Sequence, residues 1–261
     1  MNSGKKKIYG LIGYPLGHSF SKNYFNTKFE GEGINAVYVN FEIESVDLLR
    51  DVLAGNPNLS GLNVTIPYKE KVMPLLDDID PVARKIGAVN VIKIIPEKSG
   101  RKRLVGYNSD IVGFSDSIAP MLGDAHRGAL VLGTGGASKA IYTGLINLGL
   151  KPIYVSRTSR PGVITYADLT PEVMAQNKVI VNTTPVGMYP HVDEAPDIPY
   201  DLLTPEHICY DLIYNPDTTE FMRRAAARGA QTKNGLEMLL LQAFESWNIF
   251  CILYTSYAAD D

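Results

Sequence analysis

Asn63, Thr65 and Lys69 bring an amide, a hydroxyl and an ammonium into one short stretch, Gly61-Leu62-Asn63-Val64-Thr65-Ile66-Pro67-Tyr68-Lys69. Asn63 and Thr65 alternate with Leu62, Val64 and Ile66, the two-residue period of a half-buried strand, so their side chains share one face. Pro67 cannot donate to a sheet ladder and ends the strand, and Lys69 follows within a turn. An amide donates to and accepts from a hydroxylated ligand, a hydroxyl does the same, and an ammonium supplies positive charge and a transferable proton. Such a strand end suits a small-molecule site. Read alone, it also suits a solvent-facing strand with an ordinary surface lysine; the rest of the chain decides between the two.

A second stretch points to a nucleotide. The apolar run Ala129-Leu130-Val131-Leu132 leads straight into Gly133-Thr134-Gly135-Gly136-Ala137-Ser138-Lys139-Ala140, and a helical pattern follows through Leu148. The spacing is GxGxxxA rather than GxGxxG, but a buried strand stands before it and a helix after it, which is the context a dinucleotide turn needs. Gly133 permits the tight turn, Gly135 lets backbone N–H groups approach a pyrophosphate, and the helix offers its free N–H groups and positive dipole end. Gly133, Thr134, Gly135, Gly136 and Ala137 are the expected cofactor residues here.

The next strand, Pro152 to Ser156, ends in Ser156-Arg157-Thr158-Ser159-Arg160. An NAD site places Asp or Glu near this point to bind the ribose 2′-hydroxyl. No acid is present. A guanidinium here can hold a 2′-phosphate through paired charge-assisted hydrogen bonds and stack on the adenine. Ser156, Arg157, Thr158 and Arg160 therefore point to NADP.

The elements that position these groups alternate along the chain. Strands are expected at residues 8–13, Val37 to Ile43, the Gly61 segment and Ala88 to Ile95. Helices are expected at Ser21 to Glu30, Val46 to Ala54 and Lys69 to Leu76. Further strands at Val179 to Asn182 and Ile208 to Leu212, and a helix from Thr218 to Arg228, continue the second half. A last apolar helix spans about 236–254. Strand–helix alternation from the start implies an α/β protein with a mainly parallel sheet and crossover helices. The second half reads as a doubly wound, Rossmann-like fold. Two domains are expected: residues 1–110 with 236–261 for the substrate, and 111–235 for the nucleotide.

Charge and composition narrow the partners. A net charge of −3 gives no basic footprint for nucleic acid or an anionic membrane. No apolar run is long enough to span a bilayer, so no membrane partner is expected. Cys209 and Cys251 are the only cysteines and form no CxxC, and the four histidines (18, 126, 191, 207) show no paired spacing, so no metal is expected. A reducing cytoplasm is the simple expectation. A monomer and a homodimer are equally compatible with the chain.

Seven segments, in order, resemble the shikimate dehydrogenase family. His18-Ser19-Phe20-Ser21 is similar to its HSxSP segment, with Lys22 where proline is usual. Gly61 to Lys69 resembles GxNVTxPxK, and Gly87-Ala88-Val89-Asn90 resembles GAVNT, with Val91 for threonine. Gly106-Tyr107-Asn108-Ser109-Asp110-Ile111-Val112-Gly113 is similar to GxNTDxxG, with Ser109 for threonine. Asn182-Thr183-Thr184-Pro185-Val186-Gly187-Met188 matches NTTPxGM. Asp211 to Pro216 followed by Thr219 resembles DxxYxPxxT, and Gly235 to Leu239 with Gln242 resembles GxxML..Q.

The resemblance implies NADPH-dependent reduction of 3-dehydroshikimate to shikimate. Ser19 and Ser21 would then hold the substrate carboxylate, and Asn63, Asn90, Asp110 and Gln242 its ring hydroxyls. Thr65 and Tyr214 would complete the pocket. Lys69 and Asp110 would be the catalytic pair, the ammonium supplying the proton and charge that a developing alkoxide needs. Thr183, Thr184, Pro185, Met188, Leu212, Gly235 and Met238 would join the cofactor site, the methionines on the nicotinamide side. Glu237 and Asp211 take no role in this reading. An NAD-linked quinate/shikimate dehydrogenase and a non-catalytic metabolite or nucleotide sensor are the alternatives; the acid-free Ser156 segment speaks against the first, and retention of both Lys69 and Asp110 against the second.

Overall fold

The computed structural model describes residues 5–17 and 20–252. The chain divides into two compact units, Met1–Ser109 with Ala243–Asp261, and Asp110–Gln242. Each is built on its own six-stranded sheet.

The first unit runs β1 (Lys7–Gly13), α1 (Phe20–Gly31), β2 (Ala36–Glu42), α2 (Leu49–Gly55), β3 (Leu59–Val64), β4 (Asp78–Ile79), α3 (Pro81–Ile86), β5 (Val91–Pro96) and β6 (Lys102–Tyr107). Its strand order is β2-β1-β3-β5-β6-β4. β1 lies parallel to β2 and β3, and β4 to β6, while β5 is antiparallel to both neighbours. The antiparallel β5–β6 hairpin turns through the exposed segment 97–101, where Glu97 N–H reaches the Arg101 carbonyl. That turn lies at the end of the sheet opposite to the one where β3 delivers Val64.

The helix expected over Lys69 to Leu76 is instead a run of turns ending in a single 3-10 turn, Met73–Leu75. The Lys69 carbonyl is taken by the Val89 N–H at 2.8 Å, and the Met73 N–H turns to Glu70 instead. The α-helical bond that would start the element is therefore not made. α3 begins as its residues demand, with the Asp80 side chain accepting from Val82 and Ala83 N–H and Pro81 at the first position. It stops at Gly87, whose φ of 74° is the left-handed cap conformation.

The second unit runs α4 (Asp110–Ile118), β7 (Gly128–Leu132), α5 (Gly136–Asn147), β8 (Lys151–Ser156), β9 (Val163–Thr165), α6 (Pro171–Gln176), β10 (Val179–Asn182), β11 (Ile208–Asp211), α7 (Glu220–Ala226), β12 (Gln231–Lys233) and the start of α8 (Leu236–Ile252). All its strand pairs are parallel, in the order β12-β11-β10-β7-β8-β9. Counted within the unit, this is the doubly wound order whose direction reverses between β7 and β10. β7 and β10 are buried along their whole length, which is why they read as unbroken apolar runs.

One face of the first sheet carries an aromatic layer. Tyr9, Phe25, Phe29, Tyr38, Trp247 and Phe250 pack together, with Phe25 stacked on Tyr38 at 4.8 Å between ring centroids and Tyr9 5.0 Å from Phe250. A Cβ on Gly61 would lie 2.4 Å from the Phe250 ring, so only glycine lets α8 lie this close. Lys93, buried beneath, donates to the Ile249 and Phe250 carbonyls near the end of α8, a favourable place for a cation. Burial lowers its pKa. Among the described residues, no helix is long and apolar enough to cross a membrane, and no group of three or more His, Cys, Asp or Glu could hold a metal ion.

Candidate functional site

The second unit gathers one set of the expected residues at its topological switch point, where open α/β sheets bind ligands beyond the carboxyl ends of their strands. β7 ends at Leu132 and the chain turns at Gly133, with φ at 101°. β10 ends beside it at Asn182, and Thr183 follows. The Thr183 N–H and hydroxyl both donate to the Leu132 carbonyl, at 3.0 and 2.6 Å. A Cβ on Gly133 would sit 2.8 Å from Thr183 Oγ1, so glycine is required by space as well as by φ.

Gly135 caps α5 in extended backbone, and Gly136 and Ala137 form its first turn. A Cβ on Gly135 would meet nothing within 4 Å. This leaves room beside Gly135 at the N-terminal end of α5, the kind of helix end that can hold a pyrophosphate. Ser156 is the last residue of β8, and Arg157, Thr158 and Arg160 stand exposed just beyond it, on the strand next to β7. Among these the donor set fits a dinucleotide carrying an extra phosphate.

A buried polar knot holds the NTTPxGM turn in place. The side-chain carbonyl oxygen of Asn182 accepts from the Thr184 N–H and, at 2.6 Å, from its hydroxyl. Its Nδ2 donates to Asp211 Oδ1 at 3.0 Å. Asp211 also accepts from the Ile213 N–H and from the Thr219 hydroxyl at 2.7 Å. Burial pushes the Asp211 carboxyl up to about 6, against the opposing pull of these three hydrogen bonds. Asp211 is thus structural, fixing the ends of β10 and β11 together. The Leu212 N–H donates to the Asn182 backbone carbonyl, and Gly235 N–H to Ile213. A Cβ on Gly235 would lie 2.1 Å from the Leu212 carbonyl oxygen. Pro185 follows in the same turn, Met188 is 48% exposed, and Met238 packs into the core with Phe114 and Tyr210. Asp110 opens α4, buried, and Tyr214 is partly exposed after β11. Gln242 packs its Cβ against Gly113 and donates Nε2 to the Leu239 carbonyl.

The first unit gathers the other set. Asn63 lies on β3, in register with Leu11 of β1 and Val91 of β5. Thr65, just past the strand, is held by its N–H to the Ile12 carbonyl. Asn90 precedes β5 and ties two strands: its carbonyl accepts from Val64 N–H at 2.8 Å and its N–H donates to Tyr107. Lys69 is half-buried, fixed by the bond from Val89, next to Asn90 in sequence. Ser21 lies in the first turn of α1 and hydrogen-bonds Tyr38. Ser19 and His18 lie outside the described residues.

Three residues with no expected role join this set. The Tyr38 hydroxyl donates to Asn63 Oδ1 at 2.8 Å. Asn63 Nδ2 donates to Ser246 Oγ at 2.9 Å and to the Asn90 carbonyl at 3.4 Å. Ser246 Oγ lies 3.0 Å from Ser109 Oγ, which accepts from Asn90 Nδ2 at 3.0 Å. The Ser109 N–H donates to Asn90 Oδ1 at 2.7 Å. Ser246 stands four residues after Gln242 on α8, one helical turn on, and that spacing was the only sequence signal for it.

Comparison with known proteins gives consistent relatives. The sequence profile described as shikimate dehydrogenase substrate binding domain matches residues 11–92. A shikimate dehydrogenase (NADP(+)) of Desulforamulus reducens is 38% identical over 273 aligned positions, covering 95% of this chain and 92% of that protein. The crystal structure of shikimate dehydrogenase from Aquifex aeolicus superposes with a TM-score of 0.82 at 34% identity, covering 96% of this chain and 94% of that one. Shikimate 5-dehydrogenase from Thermus thermophilus, solved with NADP(H) and shikimate, superposes with a TM-score of 0.80 at 28% identity, covering 94% of this chain and 93% of that one.

Proposed function

This chain belongs to the shikimate dehydrogenase family, and from that premise we propose how its residues divide the work of the reaction. The protein is an NADP-dependent oxidoreductase that reduces 3-dehydroshikimate to shikimate, reversibly, on the route to chorismate and the aromatic amino acids. The NAD-linked quinate reading and the sensor reading are not favoured.

NADPH, when bound, supplies the hydride. Gly133, Thr134, Gly135, Gly136 and Ala137 hold its pyrophosphate, and Ser156, Arg157, Thr158 and Arg160 hold its 2′-phosphate. Thr183, Thr184, Pro185, Met188, Leu212, Gly235 and Met238 shape the remainder. Ser19 and Ser21 bind the substrate carboxylate. Asn63, Thr65, Asn90, Asp110, Tyr214 and Gln242 bind its ring and hydroxyls. Lys69 gives the proton to the carbonyl oxygen of the ketone as negative charge develops there, and its ammonium steadies that charge. Asp110 acts with it as the second catalytic group.

One observation carries the reading. The bond from Val89 N–H to the Lys69 carbonyl, with that from Val64 N–H to Asn90, fixes a proton donor and two amides at the same end of β3. Of the residues proposed to act on the substrate, Ser21, Asn63, Thr65, Lys69 and Asn90 belong to the first unit and Asp110, Tyr214 and Gln242 to the second, which also holds the proposed cofactor residues. We place the protein in the cytoplasm as a monomer or homodimer, with small molecules as its partners and no nucleic acid. Initial rates of shikimate oxidation with NADP and with NAD, with quinate as second substrate, test this. Turnover confined to shikimate and NADP is expected. Equal rates with NAD would overturn the role of Arg157, and binding of shikimate without turnover would overturn that of Lys69.

A further inference from the structure

We propose that Tyr38, Ser246 and Ser109 are positioning residues that fix the amide of Asn63 so that it meets the substrate as a hydrogen-bond acceptor. The proposal rests on the reading of Asn63 as a substrate ligand. A primary amide offers two hydrogens and two lone-pair directions. Both hydrogens of Asn63 are committed, one to Ser246 Oγ at 2.9 Å and one to the Asn90 carbonyl at 3.4 Å. One lone-pair direction of Oδ1 is taken by the Tyr38 hydroxyl at 2.8 Å. What is left to a ligand is the second direction on Oδ1. A ring hydroxyl that meets Asn63 therefore donates its proton.

The supports are themselves held. Tyr38 and Ser246 are fully buried, and the Tyr38 ring is stacked on Phe25 at 4.8 Å, which holds its phenol oxygen in place beside Asn63. Its phenol is pushed well above its ordinary range by complete burial, so it stays a donor, with the Ser21 hydroxyl as its other partner. Ser109, also fully buried, links Ser246 to both polar ends of the Asn90 side chain. A continuous chain thus runs Ser21, Tyr38, Asn63, Ser246, Ser109, Asn90. It joins three proposed ligands through three residues that touch no substrate. In a buried network of this kind each bond restricts the next, and a missing member releases its neighbour's orientation.

Tyr38→Phe and Ser246→Ala test the relay, each alone and combined with Asn63→Ala. Each single variant is expected to raise the KM for shikimate about five- to twentyfold, the size of effect that one misplaced hydrogen bond gives. The KM for NADP and kcat should stay within about threefold. In the Asn63→Ala background, neither change should raise the KM for shikimate further, because its route of action is gone. An unchanged KM for shikimate in both single variants would overturn the relay, as would full additivity with Asn63→Ala or a parallel rise in the KM for NADP. The reading on which it rests fails separately: unmodified protein that does not turn over shikimate with NADP would overturn both.

Discussion

At the scale of single residues, the ammonium of Lys69 and the carboxyl of Asp211 illustrate two opposite uses of a charged group. Lys69 is half-buried in the turns that follow β3, where it is proposed to meet substrate. Lys69→Ala is expected to lower kcat by a factor on the order of 10² or more with a smaller change in KM, the pattern of an interaction made mainly in the transition state. Steady-state kinetics decide it; a large rise in KM at unchanged kcat would reduce Lys69 to a binding group. Asp211 is sealed inside the knot with Asn182 and Thr219 and titrates at about 6, up from 3.8. An acid raised in this way keeps its proton in the folded chain where the unfolded chain has lost it. The folded state then binds more protons between those two values, so the stability tied to Asp211 is present below the window and falls as pH rises through it. The loss above the window is on the order of 3 kcal/mol. Asp211→Asn keeps an acceptor for Asn182 and Ile213, so its melting temperature should match the parent's near pH 4 and exceed it above about pH 6. A difference that does not change with pH would show that charge is not what Asp211 contributes.

At the scale of elements, the site depends on close approaches that only glycine allows. The missing Cβ at Gly235 lets the start of α8 come against the Leu212 carbonyl in the loop after β11. Gly235→Ala should force that loop away, at about 1–3 kcal/mol, and raise the KM for NADP more than that for shikimate. Thermal melts and kinetics read the two effects; an unchanged NADP KM would separate the packing from the cofactor. β7 and β10 were legible in the sequence because they are buried on both sides: Val179 to Asn182 is the whole of β10, and β7, like the half-buried β8, differs from expectation only at its first residue. β6 was not, since Lys102 and Arg103 interrupt its apolar pattern, and β9 and β12 are too short to show a period. The site divides in the same way. The residues proposed to meet ligands stand out as polar groups in apolar strands and turns, whereas Tyr38 reads as ordinary core and Ser246 as one polar residue on an apolar helix. What joins them to Asn63 is proximity across many residues, which no local pattern records.

At the scale of the whole molecule, the cofactor should be felt as stability. A ligand that binds only the folded chain at a hundred times its Kd adds about 2.7 kcal/mol. NADP should therefore raise the melting temperature more than NAD at the same concentration, and Arg157→Ala should bring the NADP shift down to the NAD level. An equal loss for both cofactors would move Arg157 from the 2′-phosphate to the shared part of the nucleotide. The net charge of −3 gives the anionic cofactor and substrate no general attraction, so affinity has to come from local donors such as these.

The β5–β6 hairpin sets apart one end of the first sheet. Its turn at 97–101 is exposed and lies away from the end that carries Thr65 and Lys69, and Gly100 has nothing packed against it. Extra chain there adds only a slowly growing loop entropy. A tether or fluorescent reporter spliced between Ser99 and Gly100 would attach at the end of the first sheet away from the residues proposed to bind substrate.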